Sequence, residues 1–247
     1  MLEFSSVSVK KGNKVILDNV SLTVPNCSFT VLLGKNGSGK STLLDTVIGN
    51  EQYSGKVILN GTDLRKLPPK ERAKRLVCLP QRLSDSRITV QNLVSLGRYS
   101  SLGPMSVLDK SDKIKVKSAL EITGICHLAE HRLDSLSGGE RQKAYVAMTL
   151  ASDADFLIFD EPTTYLDISS SREILNIIFS LVKDHGKTVL AVLHDLNSAV
   201  AVSDRICVLD GGKNVFEGTA AQFASSSVPK NIFGAECIKI AGRLFFT

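Results

Sequence analysis

A glycine-rich loop is the part of this sequence best suited to chemistry. Residues 34–41 read GKNGSGKS and fit the pattern G-x-x-x-x-G-K-[ST]. Glycines let the backbone approach an anion closely and point successive N–H groups at oxygen. Lys40 is placed to reach the β- and γ-phosphates of a nucleotide, and the Ser41 hydroxyl is placed to bind Mg²⁺. The predicted nucleotide contacts in and beside this loop are Gly34, Lys35, Asn36, Gly37, Ser38, Gly39, Lys40, Ser41 and Thr42.

The segments on either side of the loop have the pattern that a phosphate-binding loop requires. Ser28–Leu33 predicts a strand, and Ser41–Ile48 predicts a helix that stops at Gly49-Asn50. A helix that begins at the loop adds the positive end of its dipole to the site. The structural alternative is a glycine turn that only joins a strand to a helix, and the lysine and serine that end the motif argue against it.

An acidic pair follows a second apolar run. Phe156–Phe159 predicts a buried strand, and Asp160 and Glu161 come directly after it. We expect Asp160 to hold Mg²⁺, either directly or through another ligand of the ion, and Glu161 to polarise the water that attacks the γ-phosphate. Adjacent acidic residues also cap helices in many proteins, so the pair gains its meaning from the strand before it and the glycine loop upstream.

Three further features are ambiguous when each is taken alone. The stretch Ser137-Gly138-Gly139 begins a predicted helix, and Glu140 stands where a capping box needs it. A plain helix cap and an anion site at the same helix start are both compatible with these residues. Gln81 alone is an ordinary surface glutamine, and His194 alone, at the end of a strand, is more often a structural histidine.

The order of the predicted elements indicates the class of fold. Apolar strands alternate with helices after the acidic pair, which is typical of a parallel sheet covered on both faces. Leu2–Val24 instead predicts short strands, and Arg82–Leu136 has mostly helical patterning. We expect an α/β fold with a single domain over residues 1–247, into which a helical subdomain is inserted at approximately 82–152.

Composition sets only broad limits. Hydrophobic residues make up 43% and charged residues 22% of the chain, and the net charge of +5 does not argue for nucleic acid. Five scattered cysteines suit a reducing compartment and predict inert, buried thiols. There is no secretion signal and no apolar run near the ~18 residues that cross a bilayer, so we expect a soluble, cytoplasmic protein whose membrane role depends on a partner.

Taken together, the chain resembles the nucleotide-binding subunit of an ABC transporter over its whole length. Leu136–Glu140 reads LSGGE and matches the signature motif of that family. The resemblance implies a P-loop NTPase core with a parallel sheet, an antiparallel β subdomain and an inserted helical subdomain. It also implies ATP hydrolysis, with ATP and Mg²⁺ as cofactors.

The resemblance gives roles to residues that say little alone. Gln81 matches the glutamine that meets the metal and its water and reports on the membrane partner. Asp167 matches the D-loop aspartate, and His194 matches the switch histidine that touches the γ-phosphate. The expected catalytic residues are Glu161, His194 and Gln81, and the expected metal ligands are Ser41, Gln81 and Asp160.

The resemblance further implies a head-to-tail homodimer with two ATP molecules buried between the subunits. Each ATP would join one subunit's phosphate loop to Ser137 and Gly139 of the other, so that triphosphate charge closes the dimer and hydrolysis opens it. Such a cycle is a two-state switch biased by nucleotide. The expected contacts outside the phosphate loop are Ser137, Gly138, Gly139 and Asp167.

Three segments indicate a subtype. Thr89–Tyr99 resembles the corresponding segment of importers for iron chelates and cobalamin, and Ala147-Met148 and Pro162–Ile168 resemble the ferric-siderophore branch. This implies a subunit at the cytoplasmic face of the membrane that binds permease subunits and works indirectly with a periplasmic or surface substrate-binding protein. It implies no direct contact with nucleic acid. Haem and cobalamin importers are close relatives, and other subunits choose the cargo.

Lys11 departs from the family pattern. Members usually carry an aromatic residue there, which stacks on adenine. A lysine stem can cover a ring, but the stacking is weaker and less defined. We therefore predict looser discrimination between ATP and GTP.

Two alternatives remain within the same family. ABC proteins that act on nucleic acid or translation usually carry two nucleotide domains or a long coiled coil, whereas this chain has one phosphate loop and no sustained heptads. A scaffold subunit of iron–sulfur assembly would also be a single domain, and its partners would distinguish it. The basic run from Arg65 to Arg75 is interpreted as a solvated helix face, with contact to headgroups or a permease as the other possibility.

Overall fold

The computed structural model describes residues 1–81, 87–102, 107–240 and 242–247. The predicted start of the helical subdomain at position 82 lies outside these ranges. The strands are β1 Leu2–Lys11, β2 Lys14–Val24, β3 Phe29–Leu33, β4 Ser54–Leu59, β5 Thr62–Asp63, β6 Leu76–Leu79, β7 Phe156–Asp160, β8 Thr188–Val192, β9 Arg205–Asp210, β10 Lys213–Gly218, β11 Cys237–Ile240 and β12 Arg243–Phe246. The α-helices are α1 Lys40–Ile48, α2 Pro69–Arg75, α3 Val90–Leu96, α4 Lys110–Ile122, α5 Gly138–Ala151, α6 Ile168–Lys183, α7 Leu196–Val202 and α8 Ala220–Ser225.

A six-stranded sheet in the order β10-β9-β3-β8-β7-β6 forms the centre of the molecule. Its strands are parallel except β10, which runs antiparallel to β9. Every residue of β3 and β8 is buried, because apolar side chains point to both faces. The predicted α/β fold is thus confirmed, and the carboxyl ends of the parallel strands share one edge, where ligands bind in folds of this kind.

The two faces of this sheet bury separate apolar clusters. In β7, Leu157 and Phe159 pack into the cluster that contains the inserted helices, whereas Phe156 and Ile158 pack into the cluster that contains α1. The alternation follows from the period of two residues in a strand. Packing against helices on both faces therefore holds in place the strand that ends at Asp160.

A second, antiparallel sheet has the order β2-β1-β4-β5 and packs beside the core. Asn60 and Gly61 link β4 to β5 with φ values of 47° and 78°. Two successive positive φ angles define the tight hairpin turn that this dipeptide predicts.

Helices α3, α4 and α5 lie between β6 and β7 in the chain. The buried Arg98, in the 3₁₀ segment Gly97–Ser100, joins all three parts of this region. Its Nε donates to Asp112 Oδ1 of α4 at 2.9 Å, and its Nη1 donates to the Ala151 carbonyl at the end of α5 at 2.7 Å. The helix that begins with the signature motif is thereby anchored at its far end.

The cysteines correct one expectation. All five are free thiols, but Cys27 and Cys126 are exposed and Cys207 alone is fully buried. Cys27 lies in the turn before β3 and Cys126 begins a 3₁₀ turn, and neither position faces the core. Burial raises the pKa of Cys207 to about 12. None of the helices in the described ranges combines the length and apolar character needed to cross a bilayer.

Candidate nucleotide-binding and hydrolysis site

A cavity of about 700 Å³ opens at the carboxyl edge of the central sheet, above β3, β6, β7 and β8. Its lining residues are Lys14, Ile16, Asn36, Gly37, Gly39, Lys40, Ser41, Thr42, Gln81, Glu161, Thr164 and His194. The parallel strand order brings these segments together although they are far apart in sequence. Four predicted groups of residues, from the phosphate loop, Gln81, Glu161 and His194, therefore meet in one place.

The loop between β3 and α1 can be built only with glycine at two of its positions. Gly34 has a φ of 154°, and a Cβ there would lie 2.4 Å from the Leu209 carbonyl oxygen. Gly39 has a φ of 105°, and a Cβ there would lie 2.6 Å from Leu17 Cδ2. Gly39 caps α1 without a side-chain hydrogen bond, so the first N–H groups of this nine-residue helix are left for an anion.

The Lys40 side chain folds back onto the loop. Its Nζ donates to the carbonyl oxygens of Gly34 at 2.7 Å and Lys35 at 3.1 Å. Burial lowers the pKa of Lys40, while the carboxylates of Glu161 and Asp160 act in the opposite direction. The carbonyl dipoles balance the positive charge of the Lys40 ammonium only in part, and the negative charge of a triphosphate would balance it fully.

Asp160 ends β7 with a carboxylate that is not fully satisfied. Its Oδ1 is buried and has no hydrogen-bond partner among the described residues. Burial raises the pKa of Asp160, the neighbouring Glu161 raises it further, and a hydrogen bond from Ser41 lowers it. An additional cation at this carboxylate would relieve its desolvation.

Three oxygen-bearing side chains in and beside the cavity have the chemistry of Mg²⁺ ligands. The Ser41 hydroxyl, the Asp160 carboxylate and the Gln81 amide are hard oxygen ligands of the kind that this ion takes. Among the described residues no group of three or more His, Cys, Asp or Glu could hold a metal. In general, Mg²⁺ is bound through one or two carboxylates and substrate phosphates rather than by a cage of protein side chains.

Glu161 lies in an unusual backbone conformation and is held by three partners. Its φ is 55°, in the left-handed region that non-glycine residues rarely adopt. Oε2 accepts hydrogen bonds from Gln81 Nε2 at 2.5 Å and from Thr164 Oγ1 at 3.0 Å. His194 Nε2 lies 2.5 Å from Oε1. The carboxylate is therefore aimed into the cavity by residues from three separate loops.

The signature helix is capped as predicted. Ser137 is the N-cap of α5 and forms a reciprocal capping box with Glu140. Its glycines pack closely on the same chain, since a Cβ on Gly139 would lie 2.9 Å from Ser170 Oγ. Asp167 caps α6 by accepting from the Ser170 N–H at 2.9 Å.

The 700 Å³ cavity is lined by the phosphate loop without the signature residues, as far as the described residues show. Among the described residues that line the 700 Å³ cavity, none comes from the tip of α5 or from Asp167. Sequence reasoning missed three residues that do line it, Lys14, Ile16 and Thr164. Thr164 could have been predicted from its position three residues after Glu161, because one tight turn brings residues at this spacing into contact.

Fold and site together define a class of protein. A phosphate loop between a central strand and a helix, with an acidic pair at the end of a neighbouring parallel strand, is the arrangement of a P-loop nucleotide-binding protein. A model of the ABC transporter family matches residues 17–164, more than half of the chain. The chain belongs to the ABC transporter family.

Similar proteins agree with this assignment. The chain is 38% identical to the iron(3+)-hydroxamate import ATP-binding protein FhuC of Bacillus subtilis, over 94% of this chain and 87% of that protein. It is 37% identical to the ferric enterobactin transport ATP-binding protein FepC of Escherichia coli, over 93% and 85%. A dimeric ATP-binding cassette solved in a post-hydrolysis state with ADP and phosphate has a TM-score of 0.77 and 26% identity, over 89% of this chain and 99% of that one.

Proposed function

We propose that this chain is the ATP-hydrolysing subunit of an importer for iron chelates, with ferric-siderophore-like cargo. The observation that carries the proposal is the meeting of Lys40, Gln81, Glu161 and His194 around one cavity. The names of the similar proteins support the cargo class, since both power import or transport of iron chelates.

Binding comes first in the proposed reaction. The loop N–H groups and the start of α1 hold the triphosphate oxygens, and Lys40 exchanges its carbonyl partners for the β- and γ-phosphates. Ser41, Asp160 and Gln81 would hold Mg²⁺, which supplies positive charge beside the phosphates and neutralises charge that develops during transfer.

Hydrolysis then uses the groups around Glu161. The carboxylate accepts a proton from water as the water oxygen bonds to the γ-phosphorus and the bond to the β-phosphate oxygen breaks. His194, beyond the carboxyl end of the neighbouring parallel strand β8, stabilises the γ-phosphate oxygens. The products are ADP and inorganic phosphate, and their departure removes the charge that held the site closed.

A homodimer gives the signature residues a function. Because Ser137 and Gly139 do not line the cavity of their own chain, they are available to a nucleotide bound by a second copy. The dimeric cassette of similar fold supports this arrangement. We propose that the dimer binds permease subunits at the cytoplasmic face of the membrane, which in turn receive cargo from a substrate-binding protein.

The change Glu161→Gln tests the hydrolytic role. Glutamine keeps the size of the side chain but cannot accept the proton, so turnover should fall by ~10²–10³-fold or more. Binding of ATP should persist, and the dimer should accumulate because the nucleotide is not consumed. Phosphate release, ATP binding and sedimentation of the purified chain measure the three properties.

Glu121→Gln, on the exposed face of α4, is the matched control and should hydrolyse ATP at the natural rate. Turnover close to that of the natural chain in the Glu161→Gln variant would remove Glu161 from the role of base. Absence of any magnesium-dependent affinity for adenine nucleotides would overturn the whole proposal.

Co-purification tests the transport role. The natural chain, extracted from its own cells in mild detergent, should carry an integral-membrane permease identifiable by mass spectrometry. Soluble partners alone would instead favour iron–sulfur assembly. Deletion of the gene should abolish uptake of ⁵⁵Fe-labelled siderophore, and unchanged uptake would argue against the proposed cargo.

A further inference from the structure

We propose that Thr164 is a positioning residue that aims the Glu161 carboxylate at the attacking water. The inference rests on the proposed function, since it assigns a task only if Glu161 is the base. Thr164 lines the cavity beside Glu161, and its hydroxyl donates to Glu161 Oε2 at 3.0 Å. A second hydrogen bond, from the Thr164 N–H to the Glu161 carbonyl at 3.2 Å, closes the turn between the two residues.

The turn makes this contact local. Glu161 has a left-handed φ of 55°, which bends the chain so that the side chain three residues later returns to it. Thr164 is β-branched, so its χ1 angle has few alternatives and the hydroxyl is held in place. The turn therefore keeps the two side chains adjacent, so that only a side-chain rotation or a rearrangement of the turn would separate them.

The other two partners of the carboxylate differ in this respect. Gln81 lies beyond the end of β6 and His194 beyond the end of β8, and both reach Glu161 across the cavity. A bound triphosphate and its metal ion would compete for both of these side chains. Thr164 would then be the partner that still orients Glu161, because donation to Oε2 leaves Oε1 free for water.

Removing the hydroxyl tests the proposal. Thr164→Val keeps the shape of the side chain but has no donor, and a hydrogen bond to a charged group corresponds to roughly a 10- to 100-fold change. We expect kcat for ATP hydrolysis to fall by about that factor, while KM and the Kd for ATP stay within about twofold. Thr164→Ser should restore most of kcat, and Thr62→Val, in β5 away from the cavity, should leave it unchanged.

A purely structural role predicts a different pattern. The proposal would be overturned if Thr164→Val lost ATP affinity by as large a factor as kcat and also had a lower melting temperature. A Thr164→Ser variant as slow as Thr164→Val would overturn it too. If valine prevents folding, the pair Thr164→Ser and Thr164→Ala decides, because the two differ mainly by the hydroxyl. Equal kcat values in that pair would be just as damaging.

A double variant separates this proposal from the one on which it rests. In a Glu161→Gln background, Thr164→Val should cause less than a twofold further loss, because there is no base left to orient. If Glu161→Gln itself keeps natural turnover, the role of Glu161 fails. If Glu161→Gln is inactive but Thr164→Val is fully active, only the positioning role fails.

Discussion

Lys11 has a different environment from the one its sequence position suggests. Its Nζ lies 2.7 Å from Glu51 Oε2, and this hydrogen bond raises the pKa of Lys11. The ammonium is thus engaged by a carboxylate, and Lys11 is not among the described residues that line the 700 Å³ cavity. From the same hairpin, Lys14 and Ile16 line the cavity. The adenine base of a bound nucleotide would therefore contact the aliphatic side chain of Ile16 and the flexible side chain of Lys14 rather than an aromatic ring.

The change Lys11→Tyr should sharpen the choice between ATP and GTP. A fixed aromatic ring would hold the base in one plane and so make its edge contacts more selective. We expect the ratio of kcat/KM for ATP to that for GTP to rise in the variant, as measured by phosphate release. Lys10→Tyr, on the opposite side of β1, is the control. A natural chain as selective as the Lys11→Tyr variant would contradict the prediction.

At the scale of elements, the buried pair of Arg98 and Asp112 fixes the inserted helices. The Arg98 guanidinium lowers the pKa of Asp112 and also satisfies the last turn of α5 at Ala151. Arg98 thereby links the three helices at the end of α5 that lies away from its capped start. In the proposed dimer, in which α5 presents Ser137 to a second subunit, this anchor would hold the helix in place.

The change Arg98→Met should destabilise the fold by roughly 3–5 kcal/mol, because it leaves the buried Asp112 carboxylate without its cationic partner and the Ala151 carbonyl without its donor. Urea unfolding measures the loss. Lys117→Met, which breaks an exposed pair with Glu121 on α4, should cost ~0.5 kcal/mol or less. A smaller effect for Arg98→Met than for this control would refute the anchor.

The same pair gives a pH dependence with a definite sign. The pKa of Asp112 is lower in the folded chain than its ordinary value, so its contribution is present above about pH 4. It is lost as the pH falls through the folded-state pKa. The stability gap between the natural chain and the variant Arg98→Met should therefore narrow in acid.

At the scale of the whole molecule, the C-terminal hairpin packs on the core through Phe246 and is hydrogen-bonded to it by Asn197. Asn197 Nδ2 donates to the Phe246 carbonyl at 3.1 Å, and the Phe246 N–H donates to Asn197 Oδ1 at 2.7 Å. The amide thus pairs with β12 as a neighbouring strand would. Asn197 lies in α7, three residues after His194, so the hairpin supports the helix that follows the site.

The change Asn197→Ala should loosen the hairpin while leaving the central sheet intact. Two backbone groups of the buried Phe246 lose their partners, which costs about 1–3 kcal/mol locally. Hydrogen exchange should show faster exchange in residues 237–247 and unchanged rates in β3 and β8. Asn231→Ala, at an exposed position, provides the control. Unchanged protection of the Phe246 N–H against hydrogen exchange would contradict the proposed role of Asn197.

The sequence by itself determined the chemistry and the local structure. The motif at 34–41 predicted a phosphate loop, and its flanking strand and helix are found at Phe29–Leu33 and Lys40–Ile48. The capping box at Ser137 could also be predicted from the sequence, because caps and turns depend on residues that are close together in the chain. For the segment 212–247 no firm prediction was possible, since its three strands β10, β11 and β12 are short and its anchor at Asn197 is distant in sequence.

Only the tertiary structure decided which residues meet. Gln81 and Glu161 are 80 positions apart, and nothing local states that their strands are neighbours in the sheet. The exposure of Cys27 and the contact between Thr164 and Glu161 likewise depend on how the chain turns. Residue types and short spacings specify what a group can do, whereas strand order and backbone direction specify what it can reach.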